Sequence, residues 1–256
     1  MKTLVTMGRG GTGKTSFVAL QTKFFVERSE TPLLLVDVDP DQNLAEMVGV
    51  DLEREGVKTI AELVTDTFIK KGGTMTGIAP KERIETRVLS EGLYEGDDFD
   101  LIAVGTKWIE GCYCMPDAAL KGALESLTKN YRYVLIDSPA GLEHLNRKIT
   151  AHVSDIFDVM GPSHKSFEHV KRADRITREV GTGFDRFFVV GGCLFPADLE
   201  ATARKETGQQ YLGKIIFDPL VQESVIAGRS LLDIPESSPA YRSVCALMEK
   251  AGYRKA

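Results

Sequence analysis

Short runs of apolar, mostly β-branched residues alternate along the chain with segments in which apolar residues recur every three or four positions. The apolar runs predict strands over 3–7, 33–38, 101–105, 133–137, 156–160, 187–192 and 213–217. Continuous apolar runs are typical of strands that are buried on both faces of a parallel sheet. Helical spacing predicts helices over 117–130, 165–180 and 240–251. This order predicts an α/β fold with a doubly wound, mostly parallel sheet flanked by helices.

Length and composition narrow the class of protein. The chain has 256 residues, which suits a single domain over 1–256 that needs no disulfide or metal to stabilise its core. The net charge is −5 and no Lys/Arg-rich run is present, so we expect no nucleic-acid partner. No signal peptide and no run of about 18 apolar residues is apparent, so we expect a cytoplasmic protein without a membrane partner. Residues 66–98 are the least periodic and are expected to form helices and loops over the sheet.

A glycine-rich loop follows the first predicted strand. Residues 8–16 read GRGGTGKTS, which matches the phosphate-loop pattern between a strand and a helix. Its glycines let backbone N–H groups face phosphate oxygens, and the helix start adds its positive dipole end. Lys14 is expected to reach the β- and γ-phosphates, Thr15 to bind Mg²⁺, and Ser16 to bond the α-phosphate. The predicted nucleotide-binding residues of the loop are Gly10, Gly11, Thr12, Gly13, Lys14, Thr15 and Ser16.

Acidic residues follow two of the other predicted strands. Asp37 and Asp39 come at the end of the second strand, and Asp137 comes at the end of the strand over 133–137. Ligands of open parallel sheets bind at these carboxyl ends. Asp137 fits the carboxylate that holds Mg²⁺ through water, and Asp39 is a candidate to orient the attacking water. For Asp37, a role in the nucleotide site and a role in a solvated turn or helix cap both remain open.

Two of the four cysteines stand close together, in the segment GCYC. Cys112 and Cys114 can turn both thiols towards one metal ion if the chain bends at Gly111. Pro116 suits the first turn of a following helix, which places Cys114 just before the helix N-terminus, where thiolate is favoured. A closed thiolate site needs four ligands. Cys193 and Cys245 could supply the other two, or a second copy of the chain could bring its own pair.

The three motifs together resemble the deviant-Walker-A ATPases, which have the P-loop NTPase fold and include septum-site and plasmid-partition (MinD/ParA-like) ATPases. They read GRGGTGKTS, DVDPDQNL and DSPAGLEH here. The resemblance implies a homodimer that binds ATP and Mg²⁺, with Arg9 in place of the family's first lysine. In the family, this first lysine contacts the nucleotide of the partner subunit. Arg9 is therefore a catalytic candidate in trans, although packing within its own chain is also open. The resemblance places adenine near Pro219, whereas Gly191 and Gly192 replace the asparagine that reads the base in many members.

Within this family, the C-x-C spacing resembles the ATPases that mature carbon monoxide dehydrogenase (CooC type). The segments 137–148 and 161–173 also resemble that group. The resemblance implies ATP-driven insertion of nickel into carbon monoxide dehydrogenase/acetyl-CoA synthase, whose apoprotein would be the client. It also implies a shared Cys112/Cys114 site for Ni²⁺ or Zn²⁺. Two alternatives remain open: a dimeric iron–sulfur ATPase that passes electrons or clusters to a partner, and a positioning ATPase that binds membranes or DNA.

Overall fold

A computed structural model describes residues 1–67, 80–106, 114–140, 152–179, 181 and 183–254. The strands are β1 (Lys2–Gly8), β2 (Leu33–Asp37), β3 (Leu93–Glu95), β4 (Phe99–Ala103), β5 (Tyr133–Asp137), β6 (His152–Met160), β7 (Gly183–Gly191) and β8 (Gln210–Lys214). They form one sheet in the order β3-β4-β2-β5-β1-β6-β7-β8. β3 is antiparallel to β4, and the other neighbouring pairs are parallel. The predicted doubly wound, mostly parallel α/β sheet is confirmed.

Helices cover both faces of this sheet. They are α1 (Lys14–Val26), α2 (Asn43–Met47), α3 (Ile60–Thr65), α4 (Pro80–Glu91), α5 (Cys114–Leu127), α6 (His164–Glu179), α7 (Glu200–Thr207), α8 (Pro219–Ile226) and α9 (Pro239–Lys250). One apolar core joins a sheet face to α1, α2 and α9, and a second joins the opposite face to α3 through α7. Alternate residues of each strand point to opposite faces, so a strand that is covered on both faces needs apolar residues at successive positions.

Aromatic side chains fill the core beneath α1. The rings of Phe17 and Phe157 lie 5.7 Å apart, and those of Phe157 and Phe188 lie 5.3 Å apart. All three side chains are almost completely buried. Burial of each ring contributes about 2–3 kcal/mol relative to exposure, so this stack fixes α1 over the centre of the sheet. The phosphate loop is thereby held between β1 and a rigidly packed helix.

The C-terminal end of the chain is tied to the sheet by a buried carboxylate. The guanidinium of Arg186 donates two bonds of 2.6 Å to Asp155, and a third of 2.7 Å to the carbonyl of Ala251. The Tyr253 hydroxyl also bonds to Asp155. A bidentate pair of this kind satisfies both carboxylate oxygens. It fixes the C-terminal segment to the sheet, away from the phosphate loop.

Most predicted elements are confirmed to within a few residues. The last predicted strand, 213–217, is shifted, because β8 covers Gln210–Lys214. Ile216 and Phe217 are therefore outside the sheet, with 44% and 48% of their surfaces exposed. Within 66–98, the structure describes α4 and the short β3, while residues 68–79 lie outside the described part. None of the described helices combines the length and apolar character needed to span a membrane.

Candidate functional site: a phosphate loop with buried carboxylates

The phosphate loop leaves β1 at the middle of the sheet. Gly8, Gly11 and Gly13 adopt positive φ angles of 144°, 72° and 90°, a region that favours glycine. Gly13 is the N-cap of α1, and no side chain caps the helix start. No acidic residue stands in the first turn either. Free N–H groups and an uncompensated helix dipole therefore face the loop, as phosphate binding requires.

Close backbone packing holds this loop against the ends of β6 and β7. A Cβ atom on Gly192 would lie 2.5 Å from the carbonyl oxygen of Thr12, and one on Gly161 would lie 3.3 Å from the Thr12 methyl group. A Cβ atom on Gly8 would lie 2.5 Å from the Val159 carbonyl oxygen. The Thr12 hydroxyl donates to the Arg9 carbonyl at 2.9 Å. Gly192 thus has a steric reason to be glycine that is independent of base recognition.

Asp37 is a buried structural carboxylate. Its two oxygens accept the N–H groups of Asp39 and Leu44, each at 3.0 Å, so it orders the turn into α2. Burial, followed by the nearby charge of Asp137, raises the pKa of Asp37 well above its usual value. Of the two roles left open by the sequence, the structure supports the turn and helix-cap role, because no oxygen is left without a donor.

Asp137 lies beside Asp37 in register on the neighbouring strand but has a different environment. Its side chain is buried, and no group in the described residues hydrogen-bonds either oxygen with good geometry. Burial raises its pKa to about 7, while the Thr15 hydroxyl and the Lys14 ammonium act in the opposite direction. A buried carboxylate whose oxygens lack a well-formed hydrogen bond, next to a threonine hydroxyl, fits a hydrated divalent cation.

Asp39 brings a third acidic group to this edge of the sheet. It is half-buried, and its Oδ1 accepts the Asp41 N–H at 3.1 Å. Its charge raises the pKa of both Asp37 and Asp137, so the three carboxylates share one electrostatic environment. Its remaining oxygen has no protein partner among the described contacts, which leaves it able to accept a hydrogen bond from water.

Arg9 makes a contact within its own chain. One guanidinium nitrogen, Nη1, donates to the Ser163 hydroxyl at 3.2 Å, just before α6. The Lys14 ammonium bonds the Arg9 carbonyl at 3.4 Å. Both cations of the loop are therefore held by neutral oxygens, which phosphate oxygens can replace at a gain in charge complementarity.

A cavity of about 350 Å³ adjoins the loop on the side of α8. It is lined by Thr12, Gly13 and Ser16 of the loop region, and by apolar groups that include Phe217, Val221 and Ile226. Its polar lining residues beyond the loop are Cys193, Asp218 and Gln222. Pro219 is not part of the wall; it occupies the first turn of α8. The volume and apolar walls suit a heterocyclic base.

Both carboxylate oxygens of Asp218, in this cavity wall, already accept hydrogen bonds from the protein. Its Oδ1 accepts the Leu220 N–H at 2.9 Å, and its Oδ2 accepts the Ser238 hydroxyl and, at 3.5 Å, the Ala240 N–H. A carboxylate that reads guanine must have oxygens free for the base. Asp218 instead caps two helices, so the wall offers no free carboxylate for guanine.

A match to a protein family accounts for this arrangement. The family model for the AAA domain named AAA_31 matches residues 2–167, which contain the phosphate loop and both acidic strand ends. The chain belongs to this family. An uncharacterized ATP-binding protein of Methanocaldococcus jannaschii, MJ0685, is 30% identical over 247 residues, with 95% of each chain covered. The carbon monoxide dehydrogenase accessory protein CooC of Rhodospirillum rubrum is 27% identical over 264 residues, with 98% of each chain covered.

Solved structures agree on the fold of this AAA_31 ATPase. A ParA family ATPase from Chlorobium tepidum matches with a TM-score of 0.70 and 17% identity, covering 96% of this chain and 99% of that one. The septum-site protein MinD of Pyrococcus horikoshii, solved with Mg-ADP, matches with a TM-score of 0.67 and 19% identity, covering 98% and 95%. At these identities the likeness shows the fold alone. Together with the family match, it identifies a MinD/ParA-like P-loop ATPase.

The predicted thiolate pair of the AAA_31 ATPase falls largely outside the described residues. Cys112 lies there, and of Cys114 the structure gives only the backbone position. α5 begins at Cys114 itself, so this residue opens the helix instead of preceding it, with Pro116 in the first turn as predicted. Within the described part of the chain, no three His, Cys, Asp or Glu side chains are grouped to hold a metal. Cys193 and Cys245 are free thiols there, Cys193 in the cavity wall and Cys245 packed against the α1-side core.

One pair of buried residues was missed by the sequence reasoning. Asp158 interrupts the apolar run of β6, and His169 faces it from α6 with Nε2 3.5 Å from Asp158 Oδ2. Asp158 is 1% exposed. A charged residue within a strand that is buried on both faces was the available signal, because such a residue needs a partner or a function.

Proposed function

We propose that this ATPase hydrolyses ATP as a Mg²⁺-dependent homodimer and serves as a metal-insertion accessory protein for carbon monoxide dehydrogenase/acetyl-CoA synthase. The main support for the hydrolytic part is the buried Asp137, whose oxygens lack a well-formed hydrogen bond, beside the Thr15 hydroxyl of the phosphate loop. Support for the client is the full-length similarity to the CooC accessory protein, together with the C-x-C segment. The client, the metal and the dimer are parts of this proposal.

The phosphate-loop residues take the following roles. Lys14 leaves the Arg9 carbonyl and binds the β- and γ-phosphates, while loop N–H groups and the Ser16 hydroxyl bind the remaining oxygens. Thr15 and Asp137 would hold Mg²⁺, which would neutralise charge on the β- and γ-phosphates. Asp39 accepts a hydrogen bond from the attacking water and orients it towards the γ-phosphorus.

The cavity beside α8 would hold the base. Its apolar walls favour a stacked or sandwiched ring, and the exposed apolar side chains of Phe217 and Ile226 would be covered by it. Since Asp218 has no free oxygen, the wall disfavours guanine, and Gln222 at the rim can both donate to and accept from adenine. Pro219 contributes by starting α8 at the cavity rim rather than by contact with the base.

The thiolate pair is the proposed binding site for the metal. Two copies of Cys112 and Cys114, related by a two-fold axis, would supply the four thiolates of a closed tetrahedral site for Ni²⁺ or Zn²⁺. Dimer closure around ATP would bring the pairs together, and hydrolysis would separate them and release metal to the client. Because thiolates must be deprotonated to bind, metal uptake should release protons.

The test is metal stoichiometry in a cysteine variant. Cys112→Ala should reduce bound Ni²⁺ or Zn²⁺ from one per dimer to well below that value, with ATP binding retained, because the phosphate loop is untouched. Cys245→Ala is the matched control, since this half-buried thiol packs against the core on the α1 side and should leave stoichiometry unchanged. Elemental analysis measures the bound metal, and size-exclusion chromatography with and without ATP measures dimer formation.

Three results would count against the metal-insertion proposal. One metal per dimer in Cys112→Ala would contradict the thiolate site. A brown protein with iron and acid-labile sulfide would favour the iron–sulfur alternative. ATP-dependent binding to lipid vesicles or DNA by the metal-free protein would favour a positioning ATPase.

A further inference from the structure

The helix α8 exposes apolar side chains in its last turn. Ser224 is the one buried residue among its eight positions. Val225 and Ile226 are exposed, and 78% of the Ile226 surface is accessible to solvent. A helix that packs on a protein core normally buries its apolar residues and turns its polar residues towards solvent. The reversed arrangement in α8 therefore indicates that another group covers this turn in the functional protein.

The exposed apolar residues gather around one cavity. Seven large apolar side chains are exposed in the described part of the chain, and five of them line the cavity of about 350 Å³ beside the phosphate loop. These five are Leu194, Ile216, Phe217, Val225 and Ile226. Thr12, Gly13 and Ser16 line the same cavity, so its apolar wall continues into the site where the phosphates are proposed to bind. The nucleoside of a ligand bound there is thus placed against this wall.

The first turn of α8 is anchored more firmly than the last. Asp218 caps the helix by accepting the Leu220 N–H at 2.9 Å, and Leu220 and Val221 pack against the α1-side core. The side chains of residues 222–226 make no hydrogen bond or ion pair within the part of the chain that the structure describes. Gly228, two residues beyond the helix, adopts a positive φ of 61°. A helix of eight residues has little stability of its own, so its last turn can move between the anchored turn and this glycine.

We propose that α8 is a lid for the nucleoside, and that its last turn moves onto the base when a nucleotide binds. Val225 and Ile226 belong to the cavity wall, so an inward movement of this turn brings them against the base and covers them. This inference rests on nucleotide binding at the phosphate loop, as proposed above. No covalent step is involved.

The lid should act on the rate of nucleotide release. The phosphates bind at the loop in the open and the closed arrangement, whereas the apolar contacts with the base exist in the closed one alone. Covering the exposed part of one isoleucine side chain should slow release by on the order of tenfold. A ligand that carries phosphates and no base leaves the lid open, because it offers no apolar surface to cover.

Hydrogen–deuterium exchange with two ligands tests the lid in the unmodified protein. ADP carries a base, whereas inorganic pyrophosphate carries the phosphates alone, and each is added to the same fractional saturation. ADP should slow exchange of the amides of residues 222–226 by about fivefold or more relative to pyrophosphate. The helix α7, which also has eight residues and does not line the cavity, is the control and should exchange equally with both ligands.

A variant tests the apolar contact directly. Ile226→Ser should release radiolabelled ADP about tenfold faster than wild type in rapid filtration, with unchanged affinity for pyrophosphate in calorimetry. Because this side chain is exposed, the fold should be retained, which circular dichroism checks. Leu89→Ser, which removes an exposed apolar side chain from α4, is the matched control and should release ADP at the wild-type rate.

The outcomes separate the lid from the function it rests on. Equal exchange of α8 with ADP and with pyrophosphate, or an unchanged release rate in Ile226→Ser, overturns the lid and leaves nucleotide binding intact. Absence of binding of both ligands by wild type overturns both. Protection of α8 that rises with protein concentration at fixed ADP saturation also overturns the lid, because it assigns the apolar turn to a contact between two copies of the chain.

Discussion

Buried carboxylates in this ATPase differ in how their oxygens are satisfied. Asp37, Asp155 and Asp218 each bind backbone or side-chain donors through both oxygens, and each orders a turn, a chain end or a helix start. The oxygens of Asp137 and Asp158 have no well-formed hydrogen bond in the described structure, and burial raises the pKa of both groups to about 7. Asp137 is next to Thr15 and Lys14 of the loop, whereas Asp158 faces His169 of α6. At the scale of single residues, buried carboxylates without well-formed hydrogen bonds are therefore candidates for function, whereas those with both oxygens bonded stabilise the fold.

Glycine substitutions beside Thr12 should weaken nucleotide binding in a graded way. In Gly192→Ala, the new methyl group would lie 2.5 Å from the Thr12 carbonyl oxygen, a backbone atom that can move only with the loop. In Gly161→Ala the nearest atom is the Thr12 methyl group at 3.3 Å, which can adjust by a few tenths of an ångström. We expect about a tenfold or greater loss of ATP affinity for Gly192→Ala and less than about threefold for Gly161→Ala. Fluorescent-nucleotide titration measures both, and equal affinities would contradict the steric account.

At the scale of elements, α8 and α9 form the outer wall of the base cavity and share one cap. Asp218 accepts the Leu220 N–H at the start of α8 and the Ser238 hydroxyl at the start of α9. Ser238 in turn accepts the Tyr241 N–H at 3.2 Å. Both helices have proline in the first turn, which suits a helix start. The wall is therefore set by one buried carboxylate and not by apolar contact alone.

Asp218→Ala should loosen this wall and destabilise the fold. Loss of the two caps leaves N–H groups and the Ser238 hydroxyl without an acceptor, at a cost of about 1–3 kcal/mol in the free energy of unfolding. Asp233→Ala, which removes an exposed carboxylate before α9, should change this free energy by less than about 0.5 kcal/mol. Urea unfolding of both variants gives the comparison. A cost for Asp218→Ala no larger than that of the control would show that α8 and α9 need no shared cap.

At the scale of the whole molecule, the central part of the sheet could be predicted from sequence and its periphery could not. Parallel strands end at one edge, so an apolar run followed by Asp137 or by the phosphate loop defines that edge by itself. The contact of Asp158 with His169 joins a strand to a helix through tertiary packing that no local pattern encodes. β3 is only three residues long and too short for a periodicity signal. β8 was misplaced because the apolar Ile216 and Phe217 line the cavity instead of continuing the strand.

The proposed dimer can be tested through Arg9. In the single chain, Arg9 is held by Ser163 at 3.2 Å, so a role in trans requires that contact to be exchanged for the partner's nucleotide. If it acts as an arginine finger, Arg9→Ala should lower turnover by about 10³-fold and leave ATP affinity within about threefold of wild type. Arg172→Ala, which removes another cation that faces His169, should retain turnover. Phosphate-release kinetics and nucleotide titration give the two quantities.

Mixing two inactive variants then distinguishes action in trans from packing in cis. Arg9→Ala keeps Lys14, and Lys14→Ala keeps Arg9, so a mixed dimer contains one site with an intact lysine and an arginine from the partner. Random pairing makes about half of the dimers mixed, with one competent site of two, so about a quarter of wild-type turnover should return. An arginine that acts only within its own chain gives no recovery, because no chain in the mixture then carries both residues. Recovery would place Arg9 at an interface that closes over ATP, the same motion that the shared thiolate site requires.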